Sequence, residues 1–277
     1  MTDHPVENAV HRVDAFDLMS ERFDTQTPEP VTRKLIVCAA PRSGTYRLSR
    51  LLHAADLGAP LEYFNPRFMP AFCRRWGVPL GDNGQPNMDE YMKALMQRRV
   101  HRGLFCAKLQ FWQFGRTLRN ETGRALFERA VVVHLMRGDV QMQSISLHAA
   151  LATGRWEFTD RPMIEPQFPA SALTDPQRVA QAIKLIVAED AGWRSLFGFS
   201  GIVPLLITLD DLVERAEDTV GRIAERVGLS FDRQRLIEMI AVDKKYQTNA
   251  AEIAQVQNAV ASALGRLAFQ PPQSKSG

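Results

Sequence analysis

Cysteine is scarce in this chain of 277 residues. The three cysteines are Cys38, Cys73 and Cys106, and none of them stands in a CxxC pair. A disulfide framework or a cysteine-based zinc site is therefore not indicated, and this pattern is typical of a protein from a reducing cytoplasm. Cys38 and Cys106 lie within apolar runs, which predicts that their thiols are buried.

Long hydrophobic runs and long runs of one charge are also missing. No stretch approaches the ~20 apolar residues of a membrane span, and the polar N-terminal segment lacks the apolar core of a signal peptide. The formal net charge is +3 without a Lys/Arg block, so nucleic-acid binding is not indicated. We find no His, Asp and Glu residues at metal-ligand spacing. We therefore expect a cytoplasmic protein that needs no metal.

The chain does contain enough apolar material for one sizeable core. Hydrophobic residues make up 45% of it. We predict an N-terminal extension over residues 1–30, a single domain with helical insertions over 31–270, and a tail over 271–277. The segments 66–100 and 154–172 are rich in proline and glycine, and we interpret them as a lid, a substrate loop or plain connections.

Apolar runs alternate with helical patterns along this domain. Three runs predict strands, at residues 34–40, 102–112 and 130–137, and a fourth, at residues 203–212, predicts a strand and a turn. Helical spacing predicts helices at residues 46–55, 140–152 and 213–229. Strands that alternate with helices favour a three-layer α/β fold with a parallel sheet. Ligands of such folds bind beyond the carboxyl ends of the strands, so we expect the site at the turns after Ala40 and Met136.

The turn after the first strand, Pro-Arg-Ser-Gly-Thr, has the features of an anion site. Backbone N–H groups at a helix start attract anions, and Gly44 permits close approach to the backbone. Arg42 offers a planar fork of donors, and Ser43 and Thr45 offer hydroxyl groups. The Walker A pattern is absent, because no lysine follows Gly44 and no glycine stands five residues before it. ATP with magnesium is therefore not the first expectation.

A second candidate anion site follows the third strand. Arg137 falls at the carboxyl end of that strand, and Ser144 and Ser146 lie in the next helix. An arginine and a serine placed in this way can bind a second phosphate. In the alternative interpretation, Arg137 pairs with Asp139 or caps the strand.

Several stretches resemble bacterial carbohydrate sulfotransferases, which use 3′-phosphoadenosine 5′-phosphosulfate (PAPS) as donor. They occur in the same order over about residues 34–200: APRSGT, LEYFNP, AKLQFW, HLMRGD, TGRW and EDAGWRSLF. The resemblance implies a sulfotransferase fold related to P-loop NTPases, a metal-independent enzyme and a possible homodimer. The acceptor it implies is a small molecule or a glycolipid with a sugar hydroxyl.

The resemblance also implies roles for the two candidate anion sites. Residues 42–46, which include Tyr46, would hold the 5′-phosphosulfate of PAPS. Arg137 and Ser146 would hold the 3′-phosphate, because both stand at the family's spacing from Trp156, and Ser144 becomes the second choice.

A base is needed to take the proton of an alcohol as the O–S bond forms. Glu62 matches the glutamate with this role in the family, although it could instead orient a sugar hydroxyl. His134 and His53 are competing candidates. Lys108 is expected to contact the sulfuryl group or the bridging oxygen, with a buried ion pair as the alternative. Arg42 is expected to share the charge of the leaving group.

The sequence departs from the family at three places. Tyr46 replaces a small hydroxyl residue or histidine, and Leu209 replaces a tyrosine. The segment closing over the nucleotide is matched only loosely, which leaves the roles of three residues open: Lys244, Lys245 and Gln247.

The acceptor pocket is predicted less sharply than the donor site. Candidates for its border are Phe64, Asn65, Thr153, Arg155 and Trp156. The indole rings of Trp112, Trp156 and Trp193 could stack on a sugar, although aromatic residues in such places are as often part of the core.

Two other functions compete with a sulfotransferase. The first is a catalytically silent nucleotide-binding protein of the same fold. The joint presence of Arg42, Arg137, Ser146, Glu62 and Lys108 argues against it. The second is a P-loop kinase with an atypical loop, and the missing Walker lysine argues against that.

Overall fold

The molecule is organised around a five-stranded sheet with helices on both faces. The computed structural model describes residues 18–117, 121–153, 156 and 175–245. The strands run in the order β2-β3-β1-β4-β5. They are β1 (Arg33–Ala39), β2 (Val100–His101), β3 (Leu104–Leu109), β4 (Val131–Met136) and β5 (Leu205–Thr208). All neighbours pair in parallel except β2 with β3, which places one antiparallel strand at an edge.

Helices fill the connections between the strands. In chain order they are α1 (Thr45–Ala54), α2 (Met69–Trp76), α3 (Met88–Arg98), α4 (Phe111–Thr117), α5 (Glu121–Phe127), α6 (Val140–Thr153), α7 (Pro176–Ser200), α8 (Leu209–Glu214), α9 (Ala216–Val227) and α10 (Arg233–Lys245). Within the described residues, no helix is long and apolar enough to cross a membrane.

The central strand β1 is buried on both faces and separates two halves of the core. Ile36 and Cys38 face a half that includes Trp193 of α7. Leu35 and Val37 face the other half, with α1 and α9. Successive side chains of a strand point to opposite faces, so one continuous apolar run serves both layers. The predicted three-layer α/β architecture is confirmed.

One predicted strand ends earlier than expected, and another ends before its predicted turn. The second was predicted to reach residue 112, but β3 stops at Leu109 because α4 begins at Phe111. The fourth run, residues 203–212, was predicted as a strand followed by a turn, and β5 does stop at Thr208. There the Thr208 hydroxyl accepts from the Asp211 N–H, and the Asp211 carboxylate accepts from the Thr208 N–H. This capping box starts α8.

The segment 66–100 is mostly helical rather than a loop. It forms α2 and α3, and Phe72, Tyr91 and Leu95 from these helices are fully buried in the core. The Asn87 side chain accepts hydrogen bonds from the N–H groups of Asp89 and Glu90 and so starts α3. The expectation of a lid or a substrate loop is therefore corrected for this segment.

The described part of the N-terminal extension is tied to the domain. Leu18 is fully buried, and Arg99 donates to the carbonyl oxygens of Leu18, Met19 and Ser20. Arg99 also forms a buried ion pair with Asp24, with 2.8 Å between Nε and Oδ1. Residues 18–24 are thus held at the C-terminal end of α3, while residues 1–17 lie outside the described part.

The three cysteines are free and buried, as predicted for Cys38 and Cys106. Burial raises the pKa of the thiols of Cys38, Cys73 and Cys106. A protonated, enclosed thiol is a poor nucleophile, so these residues act as small apolar groups.

Several predicted features lie outside the described residues. They are Arg155, Gln247, the tail 271–277 and most of the segment 154–172. The backbone of Thr153, Lys244 and Lys245 is described, but their side chains are not.

Candidate functional site

The turn between β1 and α1 adopts a backbone that demands glycine at one position. Arg42 and Gly44 both have positive φ angles, of 66° and 92°. A Cβ atom at Gly44 would lie 2.6 Å from Cδ1 of Leu209, which begins α8. Gly44 therefore serves both the left-handed conformation and the close approach of Leu209.

A buried hydrogen-bond network holds the turn in place. The Ser43 hydroxyl donates to the Ala40 carbonyl at 2.8 Å. Gln143 of α6 donates to the Pro41 carbonyl at 2.8 Å and to the Ser43 hydroxyl at 3.0 Å. The Ser43 hydroxyl is thus engaged inside the protein, so Ser43 is left with its backbone N–H to offer an anion. Gln143 was not predicted from the sequence, and its place in the repeating polar pattern of a helix gave no signal.

Arg42 connects the first candidate anion site with the second. Its Nε donates to the Ser146 hydroxyl at 2.9 Å, and its guanidinium also donates to the backbone carbonyl of Trp156. Ser144 instead donates to the Val140 carbonyl one helical turn back, at 2.6 Å. Ser146 is therefore the serine of α6 that lies beside the turn.

Arg137 lies half-buried directly after β4. Desolvation lowers the pKa of its guanidinium, and the nearby charges of Asp139 and Asp210 oppose that shift. Within the described residues Arg137 makes no hydrogen bond or ion pair, and Asp139 instead accepts from the Met142 N–H at 2.8 Å. A partly desolvated cation in this position favours an anionic ligand.

Glu62 and Lys108 lie next to each other under the turn. Leu61 bridges to Ala107 of β3, and the Lys108 N–H donates to the Leu61 carbonyl at 3.0 Å, so the two chain segments run side by side. This pairing brings Oε1 of Glu62 to 3.8 Å from Nζ of Lys108. Both residues are buried, with exposures of 6% for Glu62 and 1% for Lys108.

The cavity above this pair is shared with the turn. It is lined by Ala40, Thr45, Glu62, Lys108, Leu109 and Gln110. Nζ of Lys108 also lies 3.2 Å from the centroid of the Tyr46 ring, a cation–π contact. The structure therefore brings together the proposed base, the proposed cation and two residues of the turn, Thr45 and Tyr46.

Amide side chains surround the Glu62 carboxylate. Its Oε2 accepts from Gln113 Nε2 at 2.7 Å and from Asn65 Nδ2 at 2.9 Å, with Gln110 Nε2 at 3.5 Å. Asn65 was predicted as a border of the acceptor pocket, but Gln110 and Gln113 were missed. Uncharged amides just before and within a short helix carry no distinctive sequence signal.

A second buried carboxylate anchors the start of α4. Glu189 of α7 accepts from the N–H of Phe111 at 2.6 Å and of Trp112 at 3.0 Å. Burial raises the pKa of Glu189, and the two N–H donors partly offset that shift. Glu189 was noted only as part of a matching stretch, because its contact is 77 residues away in sequence.

The two competing histidines have structural contacts instead. His134 Nε2 lies 3.1 Å from Asp190 Oδ1, its ring packs against Phe197, and burial lowers its pKa. His53 packs edge-on against Phe23, and desolvation lowers its pKa to about 4. Neither histidine lines the cavity beside Glu62 and Lys108.

Of the three candidate tryptophans, one lies in the core and two are half-buried. Trp193 is fully buried, stacks on Phe197 and donates to the Ala39 carbonyl at 3.3 Å, so it belongs to the core. Trp112 is half-buried and donates to Gln110 Oε1 at 2.7 Å. Trp156 packs beside Ala40. In the part of the chain that the structure describes, no group of three or more His, Cys, Asp and Glu side chains is placed to hold a metal ion.

The family comparison and a curated relative agree on the class of sulfotransferases. The family model described as Stf0 sulphotransferase matches residues 34–259. Trehalose 2-sulfotransferase of Mycolicibacterium smegmatis is 24% identical over 230 residues, which cover 70% of this chain and 83% of the relative.

Solved structures with distant likeness include three sulfotransferases, each with a TM-score of 0.42. The sulfotransferase domain of the Synechococcus PCC 7002 olefin synthase is 16% identical, covering 90% of this chain and 98% of that one. Mouse sulfotransferase SULT7A1 complexed with PAP is 11% identical, and the match covers 83% of this chain and 70% of that one. A sulfotransferase from Alicyclobacillus acidocaldarius is 16% identical, and the match covers 86% of this chain and 96% of that one.

Proposed function

We propose that this chain, which belongs to the Stf0 sulphotransferase family and is a sulfotransferase enzyme, transfers a sulfuryl group from PAPS to a sugar hydroxyl. The observation that carries this proposal is the shared cavity of Thr45, Glu62 and Lys108. A carboxylate, an ammonium group and the anion-binding turn meet there, as transfer of a charged group to an alcohol requires.

The residues present fit the two anionic ends of PAPS. The N–H groups of the turn and the Arg42 guanidinium suit the 5′-phosphosulfate. Arg137 has no hydrogen-bond partner among the described residues, which suits the 3′-phosphate. Ser146 lies 2.9 Å from Arg42, so an anion that reaches Ser146 also meets this second guanidinium.

The chain's own residues then divide the work of transfer. Bound PAPS supplies the activated sulfuryl group. Glu62 takes the proton of the acceptor hydroxyl, whose own pKa is too high for ionisation at neutral pH. Lys108 places a positive charge 3.8 Å from Glu62 and beside the turn, where it can offset the charge of the sulfuryl and leaving oxygens.

The acceptor and the cellular setting are parts of the same proposal. The similarity to a trehalose 2-sulfotransferase supports a carbohydrate or glycolipid acceptor. Three free, buried thiols are compatible with a reducing cytoplasm. A homodimer is proposed on the family resemblance.

Calorimetric titration with 3′-phosphoadenosine 5′-phosphate (PAP) in the absence of metal tests the donor site. We expect stoichiometric binding. At a hundredfold excess over Kd, PAP should raise the free energy of unfolding by about 2.7 kcal/mol, and ATP with magnesium by far less. The reverse order would favour a kinase.

Turnover is tested with sulfur-labelled PAPS and a panel of sugars. Labelled product from at least one sugar is expected. PAP binding without transfer to any sugar in the panel would favour the silent nucleotide-binding protein, and no PAP binding would reject the donor assignment.

A further inference from the structure

The two oxygens of the Glu62 carboxylate have unequal surroundings. Oε2 accepts from Gln113 at 2.7 Å and from Asn65 at 2.9 Å. Oε1 lies 3.8 Å from the ammonium group of Lys108, a residue that lines the cavity together with Thr45. One oxygen is thus held by amide donors and the other faces the cation.

The amide of Gln113 can be oriented in one way only. Its Oε1 accepts from the Gln110 N–H at 3.1 Å, while its Nε2 donates to Glu62. A flipped amide would set an oxygen against the carboxylate and an NH₂ group against an N–H, losing both bonds. Gln113 has an exposure of 0%, so water does not replace its amide.

The backbone that carries Gln113 is fixed as well. Glu189 accepts from the N–H groups of Phe111 and Trp112, the first two residues of α4. Gln113 is the third residue, so the start of this helix is held by a buried carboxylate while Gln113 reaches Glu62. Asn65 is oriented similarly, since its Oδ1 accepts from the Arg67 N–H at 3.0 Å.

We propose that Gln113 is a positioning residue that selects Oε1 of Glu62 as the proton acceptor. This inference rests on the proposed function. As the acceptor O–H bond breaks, its proton passes to Oε1. The electron pair left on the acceptor oxygen forms the new bond to sulfur, and the bond from sulfur to the phosphate oxygen of PAPS breaks. Gln113 holds Oε2 throughout, so the carboxylate does not rotate away from the cavity.

Gln113→Met tests this role, because it keeps the side-chain length and removes the donor. We expect kcat to fall roughly 100-fold through misplacement of the base, with the KM for PAPS and the PAP affinity unchanged. The same substitution in a Glu62→Gln background should cause little further loss, because Gln113 acts through Glu62. Equal losses in both backgrounds, or a change confined to acceptor KM, would overturn the proposal.

A second readout is used if turnover in the Glu62→Gln background is too low for the further loss to be measured. In a fluorinated sugar, the hydroxyl next to the fluorine is more acidic, so sulfuryl transfer to that hydroxyl depends less on a base. The ratio of wild-type to Gln113→Met turnover should therefore shrink with this acceptor, and an unchanged ratio would indicate a purely structural role. If Gln113→Met does not fold, Gln113→Asn replaces it in both measurements, because it keeps an amide but shortens the side chain that reaches Oε2.

The outcome is separable from that of the proposed function. If the wild-type protein transfers no sulfuryl group, the function itself fails. If the wild type is active but Glu62→Gln retains its turnover, the sulfotransferase stands and the inference about Gln113 falls.

Discussion

At the scale of single residues, the site consists of charges buried at short range. Glu62 and Lys108 are nearly inaccessible to water, and their closest charged atoms are 3.8 Å apart. Removing one partner of such a pair leaves an uncompensated charge, so the stability of each variant is measured together with its turnover. Substitutions that keep the volume of the side chain are preferred to alanine, because they add no cavity to that cost.

Glu62→Gln keeps the shape of the side chain and removes the proton acceptor. We expect turnover to fall by about 10²- to 10⁴-fold, the usual contribution of a general base, while PAP still binds. Single-turnover assays with labelled PAPS and calorimetry with PAP measure the two quantities. Undiminished turnover would show that another group takes the proton.

Arg137→Ala should weaken binding of PAP far more than binding of adenosine 5′-phosphosulfate, which lacks the 3′-phosphate. Loss of a charged hydrogen bond costs about 1.5–3 kcal/mol, or roughly 10- to 100-fold in PAP affinity. Arg233→Ala is the matched control, because its side chain is 71% exposed and pairs with Glu217 on the surface. Equal weakening of both ligands would contradict the assignment of Arg137.

At the scale of elements, the close packing of α7 against α4 depends on a glycine, Gly192, at the contact. A Cβ atom at Gly192 would overlap the ring of Phe111, whereas a Cβ atom at Gly198 would have open space. Both glycines lie in the same helix, so substituting each by alanine distinguishes the effect of packing from that of helix propensity.

Gly192→Ala should destabilise the protein by about 1–3 kcal/mol through overpacking. Gly198→Ala should stabilise it by about 0.5–1 kcal/mol, because alanine favours the helical backbone more than glycine does. Urea unfolding of both variants measures the difference. A stabilising Gly192→Ala would mean that α7 and α4 can move apart at little cost.

The predictable elements are those whose signal is local. The predictions for β1, β4 and α6 agree with the structure within one residue at either end, because apolar runs and helical spacing are local patterns. The end of β3 was misplaced because Glu189, far away in sequence, holds the start of α4. In segment 66–100, proline and glycine dominated the interpretation and concealed two helices.

The candidate site was predictable where its residues belong to a family motif or a local pattern. Glu62, Lys108 and the turn came from family resemblance and from the position of the turn after a strand. Gln113 and Gln143 did not, since their roles depend on neighbours brought close by folding.

At the scale of the whole molecule, the N-terminal segment is fastened by one buried cation. The Arg99 side chain is 1% exposed and bonds to Asp24 and to three carbonyl oxygens. Asp24 also accepts from the Trp76 indole at 2.8 Å. This carboxylate therefore joins the segment 18–30 to both α2 and the residue after α3.

Asp24→Ala should destabilise the protein by about 3–5 kcal/mol, because it leaves the Arg99 guanidinium buried without its counter-charge. Denaturant unfolding gives the loss directly. Glu217→Ala serves as control, since its pair with Arg233 is exposed and should contribute at most about 1 kcal/mol. Similar losses in the two variants would mean that the segment 18–30 is not held by this ion pair.

The burial of the three thiols has a practical consequence for labelling. With Cys38, Cys73 and Cys106 enclosed and protonated, maleimide reagents find no accessible native thiolate while the protein stays folded. A single cysteine introduced at a solvent-facing position such as Glu225 would then react alone. The unaltered chain is thus ready for a site-specific fluorophore without prior removal of its own cysteines.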